Sequence, residues 1–226
     1  MAFIRQMLTV AAKDLRSEVR TKEAINASLS FALVILLLFS FAFDPTSETT
    51  REIAGGLLWL AFAFAGVLVL NRSFARELPN DCLDMLNASP VPGAALFLGK
   101  ALANYVLLLG IELVCLPVFG VFYNVTWYRH LGELVLVLLL ATWGVTVVGT
   151  VFSALTVNLR LREIMLPMLM YPVLIPCLMA AMRLSTVLIG GEPITGDDVA
   201  WLRLLIGFDI IFTSLAVVLI DTVLIG

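Results

Sequence analysis

Charged residues are scarce in this sequence of 226 residues. Only 14% are Asp, Glu, Lys or Arg, whereas 61% are hydrophobic and the mean hydropathy is +1.04. A soluble domain is typically about half apolar and about a quarter charged. The chain therefore has too little polar surface to enclose a water-soluble core, and lipid is the expected solvent for most of it.

Metal-ligating residues are also few. The sequence has three cysteines and one histidine, and Cys82, Cys115 and Cys177 form no CxxC or CxxCH motif. Disulfide frameworks, zinc sites and covalent haem attachment are therefore unsupported, and these cysteines are expected to pack as small apolar residues. His130, beside Trp127, could ligate haem iron, but an unpartnered histidine in a loop is usually solvated. No metal site and no bound cofactor are predicted.

Nucleotide-binding signatures are absent too. Residues 93–100, GAALFLGK, superficially resemble a phosphate-binding loop, but the spacing is one residue too long. Ala101 stands where such a loop has the Ser or Thr that binds magnesium. No nucleophile–base pair appears elsewhere, so no catalytic site is predicted, and any ATP hydrolysis would belong to a partner subunit.

What the sequence does contain is six long apolar runs. Each is near the length of about 20 helical residues that crosses a hydrocarbon core of about 30 Å. They lie near residues 27–43, 53–70, 94–122, 134–157, 164–182 and 202–220, and no connection is long enough for a soluble domain. The sequence therefore predicts an all-α polytopic membrane protein, a single transmembrane domain over residues 1–226 with six transmembrane helices.

Residues 1–24 are amphipathic rather than uniformly apolar. Their hydrophobic residues recur at helical spacing, with most basic residues off that side. We expect an interfacial helix lying where headgroups meet acyl chains, or a helix packed on protein, and the two are compatible. The apolar side comprises Phe3, Ile4, Leu8, Ala11, Leu15 and Val19.

Lysine and arginine are distributed unevenly between the two sides of the membrane. Six spans return both termini to one side, and cytoplasmic segments carry an excess of Lys and Arg. One side holds Arg5, Lys13, Arg16, Arg20, Lys22, Arg72, Arg76, Lys100, Arg160 and Arg162, and the other holds Arg51, Arg129, Arg183 and Arg203. Both termini are therefore predicted to be cytoplasmic.

The 71–92 segment, between the second and third spans, is too highly charged to lie in hydrocarbon. Its apolar residues recur at roughly helical spacing, and Pro90 and Pro92 would end a helix there. We predict a short amphipathic coupling helix on the cytoplasmic surface that contacts an ATPase subunit. The predicted coupling residues are Arg72, Phe74, Arg76, Glu77, Asp81, Leu83, Asp84, Leu86, Pro90 and Pro92.

Two acids, Glu112 and Asp209, fall inside predicted spans, where a charge is costly. Counting along the helices places both at about the same depth. One hypothesis is a shared polar spot on a substrate route or at a subunit contact. The other is that each acid is protonated and hydrogen-bonded to a neighbouring helix.

Pro167, Pro172 and Pro176 all fall in the fifth span. Each removes a backbone donor and crowds the preceding turn, so a kinked or locally unwound helix is expected. Such breaks line cavities in transporters, although a kinked packing helix is the plainer interpretation.

The second span and the 71–92 segment share a pattern with a known family. It consists of Trp59, Arg72–x–Phe74, Leu83–Asp84–Met85–Leu86 and Pro90–Val91–Pro92, followed by Lys100 and the pair Pro172 and Pro176. The pattern resembles the haem exporter protein B (CcmB) family, the membrane subunit of the cytochrome c maturation ABC transporter. Asn71 replaces an acid of that pattern, and Asp81–Cys82 replaces Gly–Ser.

The resemblance implies an ABC-2-type permease-like fold in the bacterial inner membrane. It implies a cytoplasmic ABC ATPase that binds ATP, other haem-handling membrane subunits and a periplasmic haem chaperone, with haem as cargo. A second copy of the chain is also a candidate partner, and no nucleic-acid partner is expected. Two alternatives stay open, a permease of the same architecture that exports a lipid or drug, and a non-conducting assembly scaffold.

Overall fold

A computed structural model describes residues 2–44, 47–77, 91–125 and 127–225, with side chains described as far as residue 220. Every regular element within those residues is helical. The elements are α1 (Ala2–Thr21), α2 (Glu23–Ala42), α3 (Glu48–Leu70), a 3-10 turn (Ala75–Glu77), α4 (Gly93–Phe122), α5 (Leu131–Thr156), α6 (Arg162–Gly190) and α7 (Asp198–Ile225). Helices α2 to α7 are each long and apolar enough to cross a membrane. The predicted all-α architecture with six spans is confirmed.

Helix α6 extends further than the apolar run at 164–182 indicates. It continues to Gly190 because Leu184, Ser185 and Leu188 are buried against neighbouring helices. It ends where Gly191 adopts the left-handed conformation (φ 90°), which favours glycine at a helix terminus. The connection to α7 is therefore short, whereas the apolar runs at 164–182 and 202–220 indicated a longer one.

The three prolines of the fifth span lie within one continuous α6. Each proline removes a single backbone hydrogen bond, and buried residues between them, Met170 and Leu174, hold the helix against the bundle. Membrane helices tolerate proline when neighbouring helices support them. The sequence predicted either a kink or local unwinding at these prolines. No unwound segment interrupts the described residues of α6.

Helix α1 packs along the first half of α4. Val10 and Ala11 are buried there, and Gly99 allows the close approach. A Cβ at Gly99 would lie 2.7 Å from the Met7 carbonyl oxygen and 2.7 Å from Val10 Cβ. The opposite side of α1 exposes Ile4, Leu8 and Val19, among others. The helix thus packs on protein along one side and exposes apolar side chains along another.

The other helices form a bundle in which α3 and α5 are the most enclosed. Helix α3 packs against α2 and α6, α6 also packs against α5, and α7 covers α5 and α6. Trp59 on α3 is fully buried and donates its indole N–H to Ser185 Oγ on α6 at 2.9 Å. At Gly55 the helices are so close that a Cβ would lie 2.7 Å from the Thr186 backbone nitrogen.

The two ends of the bundle differ in composition. The end that carries α1 and the start of the 71–92 segment, here called the α1 side, is rich in ion pairs. The opposite end is held by single hydrogen bonds and by one exposed ion pair, Arg183 with Asp198. Tyr123 donates to the Leu36 carbonyl at 3.0 Å, and Glu133 accepts from the Ile194 N–H at 2.9 Å. His130 Nε2 lies 3.2 Å from the Gly191 carbonyl oxygen at the same end.

Candidate functional site

The 71–92 segment leaves α3 as a turn followed by the 3-10 turn Ala75–Glu77. The structure places four predicted coupling residues there, with Phe74 and Glu77 buried and Arg72 and Arg76 partly exposed. Pro92 stands directly before α4, where its carbonyl accepts from the Ala95 and Leu96 N–H groups. The remaining predicted coupling residues lie outside the described residues, namely Asp81, Leu83, Asp84, Leu86 and Pro90.

Phe74 fixes the start of this segment to the bundle. Its side chain is fully buried in a small apolar cluster with Phe97 and Ala101 of α4. The Lys100 ammonium lies 4.8 Å from the Phe74 ring centroid, within the range of a cation–π contact. The segment therefore begins from an immobilised aromatic residue rather than from a loose turn.

A charged cluster surrounds that aromatic residue. Lys100 Nζ lies 2.9 Å from Glu77 Oε1 and 3.2 Å from Asp14 Oδ2, and it donates to the Ser73 carbonyl at 3.0 Å. Lys13 Nζ approaches the same Glu77 oxygen at 2.5 Å. The Lys100 side chain is fully buried, so removal of its acidic partners would leave an uncompensated charge. The cluster joins α1, the 3-10 turn and α4.

Lys13 lies at the exposed edge of this cluster. Burial acts most strongly and alone would lower its pKa, but the hydrogen bond to Glu77 and the negative charge of Asp14 outweigh it. The pKa of Lys13 is consequently raised above its ordinary value of 10.5. The ammonium therefore keeps its charge, and its bond to Glu77, throughout the neutral pH range.

Glu18 connects the same segment to α2. Its fully buried carboxylate accepts the Ala24 and Ile25 N–H groups at 2.7 and 3.0 Å and pairs with the Arg76 guanidinium. Those N–H groups belong to the first turn of α2, which has no hydrogen-bonding side chain at its cap residue, Lys22. Glu18 thus serves as a distant cap for α2 and as the counter-ion of Arg76.

Neutral hydrogen bonds extend the cluster into the membrane-spanning helices. Asn104 on α4 donates its amide to Ser73 Oγ at 2.9 Å and to Thr150 Oγ1 on α5 at 3.0 Å. Ser153 on α5 donates to the Leu70 carbonyl at the end of α3, at 2.8 Å. The start of the 71–92 segment is therefore bonded to α1 and α4, and the end of α3 directly before it is bonded to α5.

Sequence reasoning identified only part of this site. Arg76, Glu77 and Lys100 were singled out from the pattern of the segment and its resemblance, whereas Asp14 and Glu18 were missed. The available signal was their spacing, since acids four residues apart on an amphipathic helix share one face. That face is the one that meets α4 and the 3-10 turn.

The two intramembrane acids approach α5 at different residues. Glu112 is buried and accepts from Thr142 Oγ1 of α5 at 2.6 Å. Asp209 packs close to Gly144 of the same helix. Residues 142 and 144 are about 200° apart around α5, so the acids lie on different sides of it. Glu112 has the hydrogen bond to a neighbouring helix that one hypothesis expected, whereas neither Asp209 oxygen has such a partner among the described residues.

Several proteins of known name are similar to this chain over most of its length. Heme exporter protein B of Rhodobacter capsulatus is 35% identical over 173 residues, which cover 76% of this chain and 78% of that protein. Heme exporter protein B of Paracoccus denitrificans is 31% identical, covering 84% and 87% of the two chains. The protein of that name from Pseudomonas aeruginosa is 32% identical, covering 88% and 87%.

The match is not confined to the segment that carried the resemblance. A sequence model of the CcmB protein family matches residues 5–223, from α1 to the last turns of α7. The charged cluster, helices α2 to α6 and all but the last two residues of α7 lie within that range. The chain therefore belongs to the CcmB protein family.

Proposed function

We propose that this chain is the membrane subunit of an ABC transporter that serves c-type cytochrome biogenesis, with haem as the cargo. The names of its relatives and the match to the CcmB family support this proposal. In this scheme a partner ATPase hydrolyses ATP, and the membrane chain uses that work for haem export or for the release of a periplasmic haem chaperone. The chain is a multi-pass protein of the bacterial inner membrane.

The proposed orientation has the α1 side in the cytoplasm. Most of the Lys and Arg residues in the sequence fall on that side, as the distribution of positive charge in membrane proteins favours. The exposed apolar residues of α1, such as Ile4 and Leu8, would then lie at the inner headgroup region. The partner ATPase would bind beneath the bundle, where the 71–92 segment begins.

The observation that carries the proposed coupling role is the charged cluster around Glu77. A loosely attached segment could follow an ATPase without moving the bundle. Here Phe74 is buried, Glu77 is paired with Lys100 on α4, and Arg76 is paired with Glu18 on α1. Displacement of residues 78–90 by an ATPase would therefore act first on these contacts and then on α1, α4 and the start of α2.

The test is co-purification of the ATPase from native membranes. Replacing Leu83 and Leu86 together by Asp should abolish co-purification while the membrane chain still inserts. The matched control is the double change Leu159→Asp and Leu161→Asp in the connection between α5 and α6, where both leucines are exposed on the same side. Retention of the ATPase by the 83/86 variant would contradict the proposed coupling role.

The cargo requires a separate measurement. Loss of c-type cytochromes on deletion, without other export defects, would favour haem over a lipid or drug. ATP-dependent haem movement in sealed vesicles that contain the whole complex would argue against a non-conducting scaffold. Normal cytochrome levels in the deletion strain would contradict the proposed function itself.

A further inference from the structure

A polar cavity of about 230 Å³ opens at the outer end of the bundle, which is the end opposite the α1 side. The ends of four helices meet around this outer cavity. Its lining includes Arg51 in the first turn of α3, Asn124 after α4, Arg129 before α5 and Gly190 at the end of α6. In the proposed orientation the outer cavity faces the periplasm.

The walls of the outer cavity are held together by hydrogen bonds and by one tight turn. His130 Nε2 lies 3.2 Å from the Gly191 carbonyl oxygen, which joins the start of α5 to the end of α6. Asn124 adopts the left-handed conformation (φ 49°), which asparagine tolerates better than most residues, and the Val125 N–H then donates to the Gly120 carbonyl at 3.3 Å. The cavity is therefore formed before any ligand arrives, and binding need not order it.

Two guanidinium groups line the outer cavity without a counter-ion. Arg51 and Arg129 are both exposed, and neither makes an ion pair or a side-chain hydrogen bond within the described part of the chain. No acid is among the described residues of the lining. Acids are nevertheless plentiful at this end, namely Glu48, Glu52, Glu133, Glu192, Asp197 and Asp198. Positive charge is thus concentrated where the chain's own carboxylates do not compensate it.

The lining favours a carboxylate of a protein over other anions. Guanidinium presents its N–H donors in a planar fork that matches a carboxylate. A haem macrocycle is disfavoured, because the cavity is smaller than the mostly apolar pockets of about 300–1,000 Å³ that hold small molecules, and its described lining has no histidine or cysteine for iron. Lipid phosphate is disfavoured because α3 and α5, whose first turns adjoin the two arginines, are the most enclosed helices.

We propose that a periplasmic protein docks on the outer end of the bundle and inserts an Asp or Glu carboxylate between Arg51 and Arg129. The carboxylate supplies the counter-ion that both guanidinium groups lack, and the docked protein excludes water, which strengthens the pairing. Tyr128, next to Arg129, is 63% exposed, and exposed tyrosine beside arginine is typical of protein interfaces. The inference rests on the proposed function, in which the periplasmic haem chaperone is the expected partner.

Carbodiimide coupling in membranes that contain the assembled complex and the chaperone tests the contact. The reagent joins a lysine amine directly to a carboxylate, and all native lysines lie on the α1 side, namely Lys13, Lys22 and Lys100. Arg129→Lys should therefore yield a conjugate with a chaperone peptide that contains Asp or Glu. Arg203→Lys, at an exposed arginine of α7 outside the cavity, is the matched control and should yield none.

Several coupling results would overturn the proposal. They are the absence of a conjugate at position 129, coupling only to this chain's own acids, coupling to another membrane subunit, and equal coupling at positions 129 and 203. Coupling of a haem propionate at position 129 would also overturn it, because the carboxylate would then come from the cargo rather than from a protein.

Charge reversal then tests the two arginines in the purified complex. Arg51→Glu and Arg129→Glu should each weaken binding of the purified chaperone by about tenfold to a hundredfold, because a like charge would face the inserted carboxylate. Arg203→Glu should weaken it by less than about twofold, since salt screens distant exposed charges. Retained ATPase shows that the variants still assemble. Unchanged binding in both cavity variants would overturn the proposal.

The proposed function is judged by a separate result, the level of c-type cytochromes in the deletion strain. If cytochromes are lost but neither coupling nor charge reversal involves the outer cavity, the docking inference fails and the proposed function stands. If cytochrome levels are normal, the proposed function fails whatever couples at position 129.

Discussion

The Glu18 carboxylate makes two kinds of contact at the turn between α1 and α2. One oxygen satisfies two backbone N–H groups at the start of α2, and the other pairs with Arg76. Lys22, between α1 and α2, adopts the left-handed conformation (φ 56°), which is uncommon for a residue with a side chain. The chain turns at Lys22, and this turn brings the first residues of α2 back to the carboxylate of Glu18, which lies four residues before Lys22.

Glu18 therefore supports a prediction about stability. Glu18→Ala removes the cap and leaves Arg76 without its counter-ion, and it should lower the free energy of unfolding by about 2–4 kcal/mol. Glu18→Gln keeps an oxygen for the two N–H groups and should lower it by only about 1 kcal/mol. A thiol-reactive dye that reports exposure of the buried Cys115 and Cys177 during heating provides the measurement.

The experiment needs a background in which Cys82 is serine, so that the dye reports the two buried thiols. Arg76→Met is the matched control, because it removes the ion pair and leaves the cap of α2 intact. Because it also leaves the buried Glu18 carboxylate without a counter-ion, its unfolding temperature should lie below that of the Gln variant. If Glu18→Ala and Glu18→Gln lower the free energy of unfolding equally, capping of α2 contributes little to stability.

At the scale of elements, the docking of α1 on α4 depends on one close approach. The backbone of α1 passes so near Gly99 that any side chain there would meet the Met7 carbonyl and Val10. Because the obstacle is backbone rather than a flexible side chain, it cannot move aside without shifting α1 as a whole. The charged cluster lies along the same interface, so a shift of α1 would also separate Asp14 from Lys100.

Gly99→Ala should consequently loosen α1. With a single cysteine at position 11, where Ala11 is 3% exposed, labelling by a soluble maleimide should become at least about tenfold faster in the Gly99→Ala variant. Gly110→Ala on the same helix is the control, since a Cβ there meets nothing within 4 Å. That change should leave labelling unaffected, because its only effect is the small gain of alanine over glycine in a helix. Equal labelling in both variants would rule out steric control by Gly99.

At the scale of the whole molecule, orientation is the property on which the proposed function depends most. The connection between α5 and α6 and the connection between α6 and α7 lie at opposite ends of the bundle and both contain exposed residues. We expect a cysteine in place of Asp197 to react with a membrane-impermeant maleimide on intact cells. A cysteine in place of Arg160 should react only after the inner membrane is permeabilised. The reverse pattern would put the 71–92 segment out of reach of any cytoplasmic ATPase.

The sequence predicted the features that lipid imposes on a chain. Apolar runs of spanning length led to six membrane helices, which the structure confirms, whereas the orientation inferred from the uneven distribution of Lys and Arg stays a prediction. The end of α6 was harder to predict, because Ser185 and the residues around it are helical through burial against α3 rather than through their own apolar pattern.

The charged cluster could not be assembled from sequence for a different reason. Lys13 and Glu77 are 64 positions apart, and Asp14 and Lys100 are 86 apart. Nothing local to either residue identifies its partner, because pairing depends on which side of α1 faces α4. Amphipathic spacing indicated that α1 has two sides, but only the packing at Gly99 shows which side meets the protein.

The burial of Trp59 has a practical consequence for studying the protein at work. Its indole is 1% exposed, and it bonds across the contact between α3 and α6, whereas the other three tryptophans are partly exposed. With those three replaced by phenylalanine, the emission wavelength of the remaining indole would report the separation of the two helices. Fluorescence during ATP turnover would then reveal, without any attached dye, whether the centre of the bundle opens or moves as a rigid body.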